Sequence, residues 1–170
     1  TVAMALESGV TNTSEVFDFS RPFDVDGQVL RDHEPAVHGL AGLREIMTHS
    51  SNIGAARLAL RTGSERQRDY LGRLGLLAPA SLEIGRAQAP IAPAPRTRRD
   101  VAGIGFGYGL ATTPAALAGA YTVFANNGAR VAPTLLHNQS GEPPEAIPVF
   151  SPQVSRQVLA YMRATVTDGT

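Results

Sequence analysis

Helical periodicity punctuated by hydroxyl residues constrains this chain more than any other feature. Near residue 150, Ser151-Pro152 precedes Val154, Val158, Met162 and Val166, which recur every four residues. A serine can accept from a free first-turn amide, and a proline just after it lacks an N–H that would be unsatisfied anyway. The pair therefore reads as a helix start, and the recurrence gives that helix one apolar stripe. Thr113-Pro114 repeats the device and predicts a helix to about Asn126, with Leu117, Tyr121 and Phe124 on one face and Gly128 past its end. Leu40, Leu43 and Met47 predict a helix over 41–49, and Ile53, Ala56 and Leu60 another over 52–61. Between them stands Thr48-His49-Ser50-Ser51-Asn52. Ser64-Glu65-Arg66-Gln67 has the reciprocal capping pattern, in which the serine accepts from the fourth amide and the glutamine reaches back; it predicts a helix over 65–74. Tyr70, Leu71 and Leu74 form that helix's inward face, and Gly75 ends it. Residues 2–7 continue a helix that stops near Gly9.

The remaining segments are irregular or extended. Residues 10–35 read as an extended or ribbon region, with short β-type runs at Val16-Phe17 and Val29-Leu30 broken by Pro22 and the turn signal Asp26-Gly27. Residues 78–100 carry Pro79, Pro90, Pro93 and Pro95 without a sustained period, and read as a long loop. Gly105-Phe106-Gly107-Tyr108-Gly109 reads as a tight glycine turn. Val131-Ala132 is a short strand candidate, and 137–147 a polar loop. The fold class expected is mainly α with minor β, in one domain over residues 1–170.

Composition narrows the chemistry. The 170 residues are 43% hydrophobic, enough for one packed core and short for two. Fifteen basic residues balance fifteen acidic ones, and no stretch is basic enough to make a polyanion groove, so nucleic acid is not an expected partner. No run approaches the roughly 18–20 apolar residues of a membrane span. Cysteine is absent, which removes disulfides and thiolate metal ligands. Every basic residue is arginine and none is lysine, so any mechanism that needs a lysine amine must take it from outside this chain. The opening "TVAMALESG" reads as the interior of a helix and suggests a piece of a longer protein.

Most chemistry-bearing residue types here have ordinary structural readings. Ser51, with Ser50 and Asn52 beside it, is a candidate N-cap for the second helix of its pair. Asp24-Val25-Asp26-Gly27 resembles the start of a calcium loop, but Pro35 occupies the twelfth position, where a bidentate glutamate is required. The histidines at 33, 38, 49 and 137 lack paired helical spacing, so no metal is expected. Gly105 to Gly109 lacks the Gly-Lys-Ser/Thr ending of a phosphate loop, and no cofactor is expected. Asn12-Thr13-Ser14 and Asn138-Gln139-Ser140 match the glycosylation triplet by chance.

Read together and in order, "GLAGLREIMTHSSNIGAARLAL", "YLGRLGL", "GIGFGYGLATTPAALAGAYTVFANNGARVAPTLL" and "SPQVSRQVLAYMRATVTDGT" resemble the transpeptidase domain of class B penicillin-binding proteins. The resemblance covers nearly the whole chain and is weakest at 78–100, where the family's acidic stretch and tryptophan are missing. It implies the penicillin-binding transpeptidase fold, shared with serine β-lactamases, with this chain as its helical subdomain and most of the five-stranded sheet missing. It also implies a parent that cross-links peptidoglycan stem peptides through an acyl-serine and binds β-lactams. The family works through Ser-x-x-Lys, Ser-x-Asn and Lys-Thr-Gly. The resemblance makes Ser50 a proton relay and Asn52 a substrate ligand, and the absence of lysine leaves the other two motifs, nucleophile included, outside this chain. It implies a parent anchored in the cytoplasmic membrane with this domain on the periplasmic side. The partners implied are the sheet subdomain of the same parent and cell-wall synthesis or division proteins; self-association of the isolated piece is expected as well. The competing readings are a β-lactam-sensing or β-lactam-hydrolysing relative on the same scaffold, a bifunctional glycosyltransferase-transpeptidase, and a non-catalytic helical interaction module.

Overall fold

A computed structural model describes residues 1–33, 37–137 and 144–169. Pro35 and Asn138 to Ser140 lie outside the described residues. Seven helices are present among the described residues: α1 (Val2–Glu7), α2 (Leu43–Thr48), α3 (Asn52–Thr62), α4 (Ser64–Arg73), α5 (Arg98–Gly105), α6 (Pro114–Ala125) and α7 (Pro152–Asp168). Between them run short strands: β1 (Phe17–Asp18), β2 (Phe23–Val25), β3 (Gln28–Leu30), β4 (Leu40–Ala41), β5 (Ser81–Leu82), β6 (Gly85–Arg86), β7 (Ala129–Val131) and β8 (Ala146–Pro148). All pair antiparallel in twos, β1 with β4, β2 with β3, β5 with β6 and β7 with β8, so every sheet among the described residues is two-stranded.

The caps act where local chemistry puts them. Thr113 accepts from the Ala116 amide and Ser151 from the Val154 amide, each with proline in the first turn. Asp26 and Gly27 both take positive φ, 51° and 85°, the geometry of a two-residue hairpin turn between β2 and β3, and the Asp24 carboxylate accepts from the Gly27 amide. The calcium-like run is thus a hairpin corner.

Four expectations need correction. The segment 78–100 is not one loop: it holds the β5–β6 hairpin and the start of α5. The helix expected over 41–49 begins at Leu43, because Leu40–Ala41 pairs with Phe17–Asp18. The polar loop expected over 137–147 gives way to β8, which pairs with β7. The capping box at Ser64 does not form: Gly63, at φ 82°, is the N-cap without a side-chain bond, and Gln67 is buried and donates to the Val101 carbonyl of α5. Gln67 therefore serves a helix–helix contact, where a buried amide needs a partner more than an exposed cap does.

The core gathers around α1. Its Val2, Ala3, Met4 and Ala5 are buried among Leu43, Ile46, Leu58, Leu71, Val123 and Val158. Leu58 is fully buried, and truncating such a leucine to alanine costs about 2–5 kcal/mol. Helices α3 and α5 cross closely: a Cβ at Gly105 would lie 2.6 Å from Ala59 Cβ and 2.9 Å from the Ala55 carbonyl oxygen, so only glycine permits the approach. Val166, at the far end of the α7 stripe, is 88% exposed.

The ribbon β1–β3 is fastened to α3 by arginines. The Arg57 guanidinium lies 5.1 Å from the Phe19 ring and 4.9 Å from the Phe23 ring, and Arg61 lies 4.9 Å from Phe17. Each such contact contributes roughly 0.5–1 kcal/mol at a partly exposed site. Arg57 also donates to the Asp18 carbonyl, and Arg61 pairs with Glu15 at 2.5 Å.

Candidate active site

The α2–α3 junction is built by backbone geometry first. The Ser50 amide donates to the Met47 carbonyl at 3.2 Å, and the Ser51 amide to the Ile46 carbonyl at 2.9 Å. With His49 as C-cap, these are the two bonds of a Schellman ending, which requires a left-handed residue at position 50. Glycine ordinarily fills that position. Here it is Ser50, at φ 51°, a conformation that costs a non-glycine residue about 1 kcal/mol or more. The serine is exposed, and it lines a cleft of about 510 Å³.

Ser51 has two jobs. It ends the α2 motif through its amide, and it caps α3, its Oγ accepting from the Gly54 amide at 2.9 Å. That side chain is buried. Its own proton goes to Asp32 Oδ2 at 2.6 Å, and Asp32 Oδ1 accepts from the Ile53 amide at 2.8 Å. Asn52 Nδ2 donates to the Arg31 carbonyl at 3.3 Å. Two consecutive residues from the end of the ribbon therefore hold three consecutive residues at the start of α3. A carboxylate beside a helix N-terminus also complements the partial positive charge of its free amides.

The cleft in front of Ser50 is mostly apolar. Met47, Leu117, Tyr121, Phe124 and Met162 form much of its wall, with Ser50 and Asn52 among its polar groups. Gly105 to Gly107, at the end of α5, border it as well. A cleft of this size, with a few polar groups set in apolar walls, suits a small ligand or a peptide end. Among the described residues no group of three or more His, Asp or Glu side chains converges to hold a metal ion. No helix among them is long and apolar enough to cross a membrane.

Farther along α3, the ribbon also fixes charge. Arg61 hydrogen-bonds Glu15, and Thr11 adds a second bond, so the Glu15 carboxyl is held below its ordinary range. Burial against the aromatic rings pulls the Arg57 guanidinium down.

Ser50, Ser51 and Asn52, three neighbours in sequence, all border the cleft, but they differ in exposure: Ser50 is exposed and Ser51 is buried in its cap. Asp32 and Arg31 are the contributors that sequence reading misses. They lie about twenty residues upstream with no local pattern to mark them, and only the fold of the ribbon brings them here.

The chain as a whole is similar to known proteins. A family model described as the penicillin binding protein transpeptidase domain matches residues 1–170, and the chain belongs to that family. It is 35% identical over 169 residues to the probable peptidoglycan D,D-transpeptidase FtsI of Caulobacter vibrioides, covering 99% of this chain and 28% of that protein. It superposes with a TM-score of 0.90 on a peptidoglycan glycosyltransferase from Burkholderia ambifaria, at 25% identity, covering 98% of this chain and 53% of that one. Penicillin binding protein 3 of Mycobacterium tuberculosis, complexed with aztreonam, matches at TM-score 0.81 and 28% identity, over 97% of this chain and 39% of that one. The chain thus spans little more than a quarter of the curated relative's length. The likeness confirms the penicillin-binding transpeptidase fold and its mainly helical character here.

Proposed function

We propose that this chain is the part of a peptidoglycan D,D-transpeptidase that supplies the Ser-x-Asn motif, with Ser50 as proton relay and Asn52 as a ligand for the substrate amide. One observation carries the reading: a serine stands at a position suited to glycine, exposed on the cleft, where its backbone cost has no structural return. Acyl transfer from a D-Ala-D-Ala stem peptide requires a second serine to attack the carbonyl and the leaving D-Ala amine to gain a proton. Ser50 is suited to pass that proton because a hydroxyl both donates and accepts. Asn52 commits one N–H to Arg31 and keeps an N–H and a carbonyl for a peptide or for the side chain of a β-lactam.

The attacking serine of Ser-x-x-Lys and the lysine of Lys-Thr-Gly belong to other parts of the parent, because this chain has no lysine. The parent sits in the bacterial cytoplasmic membrane with this domain on the periplasmic side, and works with the cell-wall synthesis or division proteins. The sheet subdomain of the parent covers the apolar cleft wall; without it, this chain self-associates.

The test is acylation of the full-length parent by a fluorescent penicillin. Ser50→Ala slows it by about 10²–10⁴, the usual contribution of a positioned acid–base group. Asn52→Ala weakens β-lactam engagement more than it lowers the melting temperature. A penicillin adduct mapped by mass spectrometry to Ser50, or an unchanged rate in Ser50→Ala, would overturn the reading.

A further inference from the structure

We infer that Asp32 is a positioning residue for this site: its carboxylate, arriving from the ribbon, fixes the α3 N-terminus and through it aims Ser50 and Asn52 into the cleft. The inference rests on the assignment of those two residues above and adds the residue that holds them.

Ser50 depends on its neighbours for its conformation. Its left-handed backbone is disfavoured for serine, so the conformation persists only if both flanks are pinned. On one side, the Schellman bonds to Ile46 and Met47 pin it to α2. On the other, Ser51 must stay in place, and Ser51 is buried with its proton on Asp32 Oδ2 at 2.6 Å. The second carboxylate oxygen takes the Ile53 amide at 2.8 Å, so one side chain bridges the cap and the first turn of α3. Asn52 lies between those two anchor points, and its amide donates to the backbone of the residue preceding Asp32.

Both oxygens are needed for this. An ionised carboxylate accepts at two places and donates at none. Asparagine in the same place keeps the volume but offers one acceptor oxygen, and its NH₂ group meets either a hydroxyl that must turn round or an amide N–H that cannot accept. Asp32 acts through Ser51 and the Ile53 amide, not on the substrate.

The experiment uses the full-length parent with fluorescent penicillin and compares Asp32→Asn, Ser51→Ala, Ser50→Ala and the double variant Asp32→Asn with Ser50→Ala. Melting temperature is followed alongside. Asp32→Asn is expected to slow acylation at least tenfold, with the folded fraction unchanged at the assay temperature. Ser51→Ala, which removes the donor to Oδ2, should move the rate in the same direction. In the Ser50→Ala background, Asp32→Asn should slow acylation further by clearly less than it does alone, because one of the two groups it positions is already gone. A merely structural role would give additive losses in the double variant, and that result would overturn the inference. Normal acylation in Asp32→Asn beside a slow Ser50→Ala would also overturn it while leaving the relay assignment standing. Normal acylation in Ser50→Ala would remove the relay assignment and this inference together.

Discussion

Two helix starts in this molecule use the same device. At α3, Ser51 accepts from the third amide beyond it and gives its proton to a carboxylate from a remote element, Asp32. At α7, Ser151 accepts from the Val154 amide and gives its proton to Glu7, which also takes the Ser151 amide at 2.8 Å. What differs is the residue before the cap. Phe150 is buried, its ring centroid 5.4 Å from that of Tyr70 and 6.2 Å from that of Phe124. Ser50 is exposed, left-handed and beside the cleft. One junction spends its cap on closing the core, and the other uses it to hold a strained polar residue exposed beside the cleft. Capping chemistry therefore does not distinguish the two junctions; the exposed, left-handed residue before the cap does.

The largest expected effect tests whether the open junction can react alone. This chain should give no penicillin adduct detectable by mass spectrometry, because removing the primary nucleophile of a serine acyl enzyme costs about 10⁶ in rate. Next comes the closed junction. A Cβ at Gly128 would lie 1.9 Å from the Phe150 carbonyl oxygen, and Gly128 stands at φ 95°. Gly128→Ala should destabilise the fold by about 2–4 kcal/mol in denaturant titration; a loss under about 1 kcal/mol would mean that the junction yields easily.

The caps themselves rank third. Ser151→Ala should cost about 1–2 kcal/mol, as read by thermal unfolding. A smaller effect points the other way: Ser50→Gly should stabilise the fold by about 1 kcal/mol while removing the hydroxyl proposed as relay. A Ser50→Gly variant that melts lower than the parent sequence would break the claim that position 50 is strained.

The smallest effect concerns the ribbon that carries Asp32. Glu15 has a lowered pKa in the folded state because Arg61 hydrogen-bonds its charged form. The unfolded chain then binds more protons there, so the contribution of Glu15 is full above the ordinary carboxylate range and is lost as pH falls through the lowered folded value. Partly exposed, it should be no more than about 1 kcal/mol. Unfolding free energies of the natural chain and Glu15→Gln should therefore differ near neutrality and converge in acid; a gap that widens in acid would reverse the sign.

Legibility in the sequence followed the range of each interaction. Thr113 and Ser151 cap within three residues, so both helix starts are readable from type and order. Helix α5 has a readable start too, in the Thr97–Asp100 capping box, but the four alternating glycines from Gly103 to Gly109 and the prolines before it argue against a helix. Gly105 is there because α3 comes too close for a Cβ, a cause that only tertiary packing supplies. Ser64 shows the converse, a good local pattern overridden because Gln67 is wanted elsewhere. At the site, Ser50 and Asn52 stand out through their motif and Ser51 through its type. Asp32 does not, since nothing around residue 32 announces a bond nineteen residues away.

The reach of the two carboxylates has a consequence for the order of assembly. The bond from Ser51 to Asp32 closes nineteen residues of chain, and that from Ser151 to Glu7 closes 144. Loop-closure entropy makes the longer closure about 2 kcal/mol more costly for an otherwise similar contact. The ribbon, α2 and α3 can thus find one another while most of the chain is still unstructured. Docking of α7 against α1 must wait for nearly all of it. In a chain emerging from the ribosome, the geometry around Ser50 is available before the contact that joins α7 to α1.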